Sequence, residues 1–597
     1  MLFDLALYIS DHRSTSLLIL AAVVALVALG GIAASAFAAF RLTDETPGAL
    51  RGRVARWRGV YMTGALVVLF AFGLGLRPEW VYAHVGLMLG AGFALGYGLL
   101  FADARPVSRV WFVAAGIVAI AATFVRVYGL AVYPSAQVTD EGWVFAWVVG
   151  YLKTGHFSDY LMYYGGHDVQ RYYLPMAWWM QIVGIGWWQG RLFNLIMTLP
   201  LMILSGLAAR NLFGRAAGWL TAAFLFVSAV VMIGVRLRHD IGLGLAIAAS
   251  LWAYSEALRR ESKPFHFAAG VLMGLGWFAH YHAIGLGVAL ALGLYLPRYV
   301  QRAREGNWRP ESSFILYGLG GLVGAGLVIL FQILPDLQSF LATREPRNPL
   351  DLVGYVTAVL GHIESIAHHS QLELILIGAG LVAAIWRRCV SDLSIALAVV
   401  LAHLALGVMA DIPWDHYPMP LTPLYAMLVA TLFTDGLGRG IAERAEGFRQ
   451  ATAFSFAAFA VICLGWTTTT PLKHLVTGGS IAPQPPPAAA YVLDHYDPAT
   501  TLVTAEHYYY LFMWEYRFAS VLTPNLMSRE RYAEFGSNEA IWDSIAPDVV
   551  ILDRNLSTCC VPPIMTTNYL DSRGYHEVAE FEGERFPVQV YEKGGDH

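Results

Sequence analysis

The residues able to do chemistry in this chain stand in short polar clusters between long apolar runs. The first is the adjacent pair Asp140 and Glu141, followed by Tyr163-Tyr164 and His167-Asp168. Next come Arg236-Leu237-Arg238-His239-Asp240, His280-Tyr281-His282, and the run from Asp411 to Asp415, His416 and Tyr417. The loop 335–370 adds Arg344, Arg347, Glu364, His368 and His369. A carboxylate can take the proton of an acceptor hydroxyl as general base. An arginine fork binds a phosphate bidentately and stays charged, and a histidine can share that anionic load or shuttle a proton. These types together support transfer of a group from a phosphorylated lipid carrier.

Each cluster taken alone also has an ordinary structural explanation. Asp140-Glu141 could simply favour the N-terminus of the following helix. Arg236, Arg238 and Asp240 could be an interfacial salt-bridge set at a tight turn, and His280 and His282 satisfied interfacial histidines. The His416-Tyr417-Pro418 run could mark a helix start with proline in its first turn, and Tyr508-Tyr509-Tyr510 packing. The functional signal is the conjunction of the clusters on one face.

That conjunction depends on the elements that carry them. The chain has 597 residues, is 57% hydrophobic and only 14% charged, with a mean hydropathy of +0.52. Soluble domains carry about 25% charged residues. Many apolar runs of about 17–24 residues define a polytopic α-helical membrane protein, and the runs lack the alternation of a transmembrane barrel. Spans are expected near 16–40, 60–76, 81–102 and 110–132, then 191–213, 216–235, 241–258, 265–279, 284–296, 314–334, 372–386, 393–410, 418–433 and 451–466, about 14 in all. The first is a retained helix: Arg41, Arg51, Arg53, Arg56 and Arg58 follow it instead of preceding it, the reverse of a signal peptide. With those arginines inside, 259–263, 298–309, 387–388 and 439–449 also fall inside, and each is rich in Arg or Lys as the positive-inside bias requires. All the chemical clusters then face outside. Glu141–Lys153 and Arg171–Val183 read as amphipathic helices on the membrane surface, with Trp178-Trp179 and Trp187-Trp188 suited to the interface.

Three regions are expected: 1–107, an extension of about three transmembrane helices; 108–470, a catalytic membrane module with an external loop 133–190; and 471–597, an extracytoplasmic α/β domain. The last follows a stiff proline linker (Pro483, Pro485, Pro486, Pro487) and has strand-like runs at 501–504, 548–552 and 588–591. A net charge of −4 gives no reason to expect a nucleic-acid partner, and four cysteines rule out a disulfide framework. No Cys/His cluster has zinc-ligand spacing.

An Asp-Glu pair in the first external loop, after a span ending in Phe124-Val125-Arg126-Val127-Tyr128, resembles the polyprenyl-phosphate-sugar-dependent glycosyltransferases of the GT-C superfamily. The resemblance is greatest to the branch of protein O-mannosyltransferases and the lipid A aminoarabinose transferase. It continues through surface helices to a span running from Gly190-Arg191-Leu192-Phe193 to Ala209-Arg210-Asn211-Leu212-Phe213-Gly214. It includes Arg238-His239-Asp240, the glycine-rich run Gly274 to His280, a late Tyr-x-x-Pro helix start and an α/β tail. The resemblance covers roughly 110–597 and leaves the first three spans without a role. It implies transfer of a sugar from a polyprenyl-phosphate donor to a glycan, lipid or protein acceptor, inverting or retaining, outside a bacterial-type inner membrane. Asp140 is then the expected base or acceptor-orienting carboxylate, Glu141 its support and Asp240 a second active-site carboxylate. Arg238 is the donor-phosphate contact, with Arg236, His239, His280, His282, Tyr163, His416 and Tyr417 lining the substrates. His280 stands where the family often has Lys, which makes that contact pH-sensitive. No cofactor is expected; a divalent metal near the carboxylates is a feature of the oligosaccharyl branch. One rival is a transporter or flippase of lipid-linked sugars, which should show two related halves and helices broken at mid-membrane, and no repeat is visible; the other is a structural or sensory membrane protein whose external tail binds a ligand, which leaves Asp140 and Arg238 without a purpose.

Overall fold

The structure, a computed structural model, describes residues 109–133, 138–155, 172–309, 311–336, 352–410, 414–435, 446–479, 485–504, 508–521, 534–553, 565–583 and 586–594. The first three expected spans, Tyr163, His167, Asp168, Arg344, Arg347, Asp411 and Cys559-Cys560 lie outside these residues.

The helices are α1 (Arg109–Tyr128), α2 (Val138–Thr154), α3 (Tyr173–Val183), α4 (Trp187–Phe213), α5 (Arg215–Val227) and α6 (Ala229–Ile233). They continue as α7 (Asp240–Arg260), α8 (Lys263–Leu275), α9 (Ala283–Arg304), α10 (Ser312–Val328), α11 (Leu352–Arg387), α12 (Val390–Met409), α13 (Thr422–Asp435) and α14 (Glu446–Val476). Among the described residues six helices are long and apolar enough to cross a membrane: α4, α7, α9, α10 with its π-helical extension to Ile333, α11 and α12. A bundle of apolar helices gains little from hydrophobicity against lipid and must pack closely instead. α8 and α10 do so through glycines: a Cβ on Gly270 would strike the Tyr317 carbonyl, and one on Gly320 the Phe267 carbonyl.

Two expectations fail at helix breaks. The run 216–235 is not one span but α5 and α6, divided at Ser228, whose hydroxyl accepts from the Val231 N–H at 3.1 Å. The other half of the junction comes from far along the chain: buried Glu373 accepts from Ser228 Oγ at 2.7 Å and from the Ala229 N–H at 2.6 Å. The region 335–370, expected as a loop, is helical from Leu352 and continues into α11 across the non-helical Ser370. Ser370 Oγ accepts from the Glu373 N–H at 3.2 Å, so the kink starts a new turn at the residue that caps α6.

The chain ends in α15 (Pro487–His495), β1 (Thr501–Thr504), α16 (Tyr509–Phe512), β2 (Arg517–Ser520), α17 (Asn538–Ile545), β3 (Val549–Asp553), α18 (Thr567–Ser572), β4 (Tyr575–Phe581) and β5 (Val588–Lys593). The strands form one mixed sheet in the order β2-β1-β3-β5-β4, with β2, β1 and β3 parallel and β5 antiparallel to both β3 and β4. One face packs Leu502, Phe518, Val549 and Ile551 under Val492, Tyr508 and Phe512; the other packs Val503, Ala519, Val550 and Leu552 under Trp542 and Leu570. The sheet unit is tied to α2 by Lys153, whose Nζ donates to the Met513 carbonyl at 3.0 Å and lies 5.5 Å from the centre of the Trp514 ring.

Candidate functional site

The turn 234–239 joins α6 to α7 and is stitched down by its neighbours. Asn194 of α4 donates from Nδ2 to the carbonyls of Arg236 and Arg238, the latter at 2.8 Å, and accepts from Tyr172 Oη at 2.8 Å. The Tyr172 ring lies where a Cβ on Gly242 would project, so glycine there lets the ring close over the start of α7. The turn therefore presents Arg236, Arg238 and His239 from a fixed backbone, and Asp240 opens α7.

These side chains join the segment 414–418, between α12 and α13, in one continuous network. Arg238 Nε donates to Asp240 Oδ2 at 2.9 Å and its Nη2 to His416 Nε2 at 2.6 Å. Arginine only donates, so His416 Nε2 accepts, and its Nδ1 carries the hydrogen directed at Asp415 Oδ1, 3.2 Å away. Arg236 Nη1 reaches both Asp415 oxygens, at 3.1 and 2.9 Å, and His369 Nε2 lies 3.4 Å from Oδ2. Burial would raise the Asp415 pKa, but His369, His416 and Arg236 together drive it well below the usual carboxylate range. Two arginines thus face two carboxylates, with His416 between them.

A group of tilted and edge-on rings adjoins the network. His239 bonds through Nδ1 to Tyr173 Oη, and its ring centre lies 4.5 Å from that of His280. His280 Nδ1 accepts from the His282 N–H at 3.0 Å, which puts the hydrogen of the neutral ring on Nε2. His282 meets the Tyr417 ring edge-on at 4.9 Å. Burial pushes the His239 pKa down to about 3. Burial, with His282, His239, Arg238 and His416 nearby, pushes that of His280 well below its ordinary value. Burial thus disfavours the charged form of His280 and leaves Nε2–H as the group its ring can donate.

Of the pair Asp140-Glu141, the structure describes the side chain of Glu141 alone. Asp140 occupies the first turn of α2. Glu141 is completely buried: it takes Arg191 Nε on Oε1 at 2.9 Å and Nη2 on Oε2 at 2.6 Å, and Oε1 also accepts from the Leu237 N–H at 2.6 Å. Arg191 is in turn held by the Leu130 carbonyl at 2.7 Å and lies over the Trp187 ring. This geometry gives Glu141 the role of a brace between α2, α4 and the 234–239 turn; a buried carboxylate with both oxygens engaged is poorly placed to take a proton from substrate. Arg126, at the end of α1, is also a brace, donating to the Phe226 carbonyl and Thr467 Oγ1, both at 2.6 Å.

The structure thus gathers Arg236, Arg238, His239, Asp240, His280, His282, His369, Asp415, His416 and Tyr417 at one end of the bundle, and brings in Tyr172, Tyr173 and Asn194. Of these additions, Asn194 had a sequence signal, an amide near the start of an apolar run; the tyrosines had none. Among the described residues no group of three or more His, Cys, Asp or Glu is arranged to hold a metal ion.

Residues 173–309 match the family model described as dolichyl-phosphate-mannose-protein mannosyltransferase. A comparison with curated proteins finds no match. Among solved structures, the Archaeoglobus fulgidus oligosaccharyltransferase in its apo form is 11% identical with a TM-score of 0.41, covering 74% of this chain and 70% of that one. ArnT from Cupriavidus metallidurans in the apo state is 14% identical with a TM-score of 0.53, covering 80% of this chain and 98% of that one. The same protein bound to undecaprenyl phosphate is 14% identical with a TM-score of 0.52, covering 81% and 98%. The resemblance to GT-C glycosyltransferases is thus met twice, by a family model over α3 to α9 and by the fold of ArnT over nearly the whole of that protein.

Proposed function

We propose that this chain is a membrane glycosyltransferase that moves a sugar from a polyprenyl-phosphate donor to an acceptor hydroxyl at the extracytoplasmic face of a bacterial-type inner membrane. The observation that carries the reading is the arginine–histidine–carboxylate network at one end of an ArnT-like bundle, since ArnT has been seen with undecaprenyl phosphate. In the reaction the bond from the anomeric carbon to the phosphate oxygen breaks and a bond to the acceptor oxygen forms. The acceptor proton passes to Asp140 as base, and the polyprenyl phosphate leaves with the electron pair. Arg238 and Arg236 receive the leaving phosphate, their forks fixed in advance by Asp240, His416 and Asp415, so little reorganisation is needed as charge develops. His239, His280 and His282 add ring N–H donors, and Tyr163 and Tyr417 line the sugar. Asp240 acts through Arg238 as a second active-site carboxylate. The reading includes no metal or other cofactor.

The same proposal takes the whole chain to have about 14 spans, with the first three outside the catalytic module. It places the active end and the C-terminal sheet outside, as the basic loops 259–263, 298–309 and 387–388 support. The test is sugar incorporation from a radiolabelled polyprenyl-phosphate donor by purified protein. The wild type transfers, and Asp140→Asn loses about 10³-fold or more in kcat, the scale of a missing general base. Unchanged transfer by Asp140→Asn removes the base assignment; no transfer by wild type with any lipid-phosphate sugar removes the reading.

A further inference from the structure

The far end of α11 carries a feature that the arginine–histidine–carboxylate network does not use. Its last residue, Arg387, turns inward: Nε donates to Asp392 Oδ2 at 2.9 Å, and Nη1 and Nη2 donate to the carbonyl and hydroxyl of Thr431 at 2.8 and 2.9 Å. Arg388 behaves differently: among the described residues its guanidinium meets no hydrogen-bond acceptor and no carboxylate. Arg388 and Cys389 are the whole link between α11 and α12. Arg388 makes that turn with a φ of +56°, its N–H bonded to the Ala384 carbonyl at 3.2 Å. Helices commonly stop on such a left-handed residue, but glycine is the usual one because it adopts the conformation without strain. This chain keeps an arginine there. Together with Val382, Ile385 and Trp386, Arg388 lines a cleft of about 370 Å³. The three apolar side chains are 63%, 62% and 70% exposed, so the cleft opens on the outer surface of the bundle.

The position of the cleft selects what fills it. α11 is long and apolar enough to cross a membrane. Glu373, on this helix, caps α6, which leads into the Arg236 turn, and Arg388 follows about 22 Å farther along at 1.5 Å per residue. The cleft is therefore at the other end of the bundle from the network, and separate from any donor phosphate held there. Its open side faces lipid, and an exposed tryptophan at the end of a span suits the boundary between hydrocarbon and headgroups. Val382, Ile385 and Trp386 stand at i, i+3 and i+4, one stripe of the helix along which an acyl chain can lie. A guanidinium at the foot of that stripe takes a phosphate bidentately. Charge then chooses among phospholipids, because no carboxylate lines the cleft to receive the ammonium of a zwitterionic headgroup. We propose that this cleft binds one anionic phospholipid of the phosphatidylglycerol type, with its phosphate on Arg388 and an acyl chain along Val382, Ile385 and Trp386. On the topology proposed above it is a lipid of the inner leaflet, the side on which basic residues at span ends attract anionic headgroups. The site does not depend on sugar transfer.

Native mass spectrometry of the full chain in detergent reads lipid retention, with dioleoyl phosphatidylglycerol, dioleoyl phosphatidylethanolamine and inorganic phosphate as probes. The wild type should hold one phosphatidylglycerol about tenfold more tightly than phosphatidylethanolamine, whose chains are the same. Arg388→Gly should abolish that preference, a tenfold loss being the scale of one charge-assisted hydrogen bond. Glycine suits the left-handed turn, so the Tm of this variant should stay near that of the wild type, and its lost binding is not misfolding. Trp386→Ala should weaken both lipids alike, because it removes contact with the chain and leaves the cation. Equal retention of the two lipids by the wild type, an unchanged preference in Arg388→Gly, or unchanged retention in Trp386→Ala overturns the proposal. Displacement of the lipid by inorganic phosphate at equal concentration also overturns it, since the site would then be one for a free anion.

Discussion

Glu141 offers the sharpest test of how the site is held together. Its carboxylate accepts twice from the Arg191 guanidinium, at 2.9 and 2.6 Å, and from the Leu237 N–H at 2.6 Å, with both side chains fully buried. Breaking a buried pair by removing one partner costs about 3–5 kcal/mol, because the other charge is left uncompensated. Glu141→Ala should fall in that range. Glu141→Gln keeps one oxygen but turns an N–H group toward Arg191, and should lose about 1–3 kcal/mol, the cost of one charged hydrogen bond and a strained remainder. The brace joins the helix that carries Asp140 to the turn that carries Arg236 and Arg238. A displacement of about 1 Å at a reacting centre costs about 10²-fold in rate, so Glu141→Gln should lower kcat by that factor. Replacing both partners, Glu141→Leu with Arg191→Met, removes the charges together and should recover most of the stability, as apolar replacements of buried pairs do. Activity should not return, because the Leu237 N–H stays unheld. The assay pairs thermal unfolding in nanodiscs with steady-state transfer. A Glu141→Gln protein with wild-type Tm and kcat refutes the reasoning, and a double variant that regains both shows that Glu141 serves stability alone.

Two further outcomes follow from the same network. Arg238→Lys cannot reach Asp240 and His416 together, since one ammonium replaces a fork; kcat/KM for the lipid donor should fall about 10²-fold, or about 2.7 kcal/mol, and a fall of less than threefold counts against the phosphate role. His239 has its pKa pushed down from 6.5 to about 3 by burial, so below pH 6.5 the unfolded chain binds a proton that the folded one refuses. Stability therefore falls as pH drops from 6.5 toward 3, by about 2 kcal/mol at pH 5. His239→Gln should show a shallower decline of Tm between pH 7 and 5, with His280 supplying the remaining slope in the same direction; identical slopes refute the burial argument. Asp415 plays no part in that window, because a depressed carboxylate loses its stabilisation only near and below the unfolded carboxylate value.

Much of the site was legible because membrane chains are sparing with charge: Arg238, Asp240, His280 and His416 stood out against apolar runs, and they meet. What supports them was not. Asn194 and Tyr172 hold the 234–239 turn through contacts between segments that sequence order does not pair. Arg191 was visible as the start of a span but not as the partner of Glu141, 50 residues earlier. The break at Ser228 was hidden for a similar reason. Hydropathy registers an unbroken apolar run, whereas the junction depends on Glu373, a residue inside another apolar run. The strand-like runs at 501–504 and 588–591 coincide with β1 and part of β5, being short β-branched stretches. Their order in the sheet is a matter of crossovers, which local composition does not encode.

The placement of His280 changes how the charge at this site is understood. Were it a cation standing in for lysine, the donor phosphate would meet three positive groups and the site would weaken as pH rose through the histidine range. Burial, with His282, His239, Arg238 and His416 nearby, disfavours its charged form, and its Nε2–H is the donor left to the neutral ring. The positive charge available to a phosphate then comes from Arg236 and Arg238, each already matched by a carboxylate. The donor phosphodiester, a monoanion that becomes a phosphomonoester as it leaves, must displace a carboxylate partner or leave charge unbalanced. Asp240 is buried at 2% exposure and Asp415 is 30% exposed. The cheaper exchange is therefore at Arg236, where Asp415 can turn to water while Arg238 keeps both its braces. On this argument the two arginines differ in kind: Arg238 is preorganised for the leaving oxygen, and Arg236 is held by Asp415 until the phosphate replaces it. Asp415→Asn should accordingly tighten donor binding, lowering KM without raising kcat, and an unchanged or higher KM in steady-state transfer would count against the exchange.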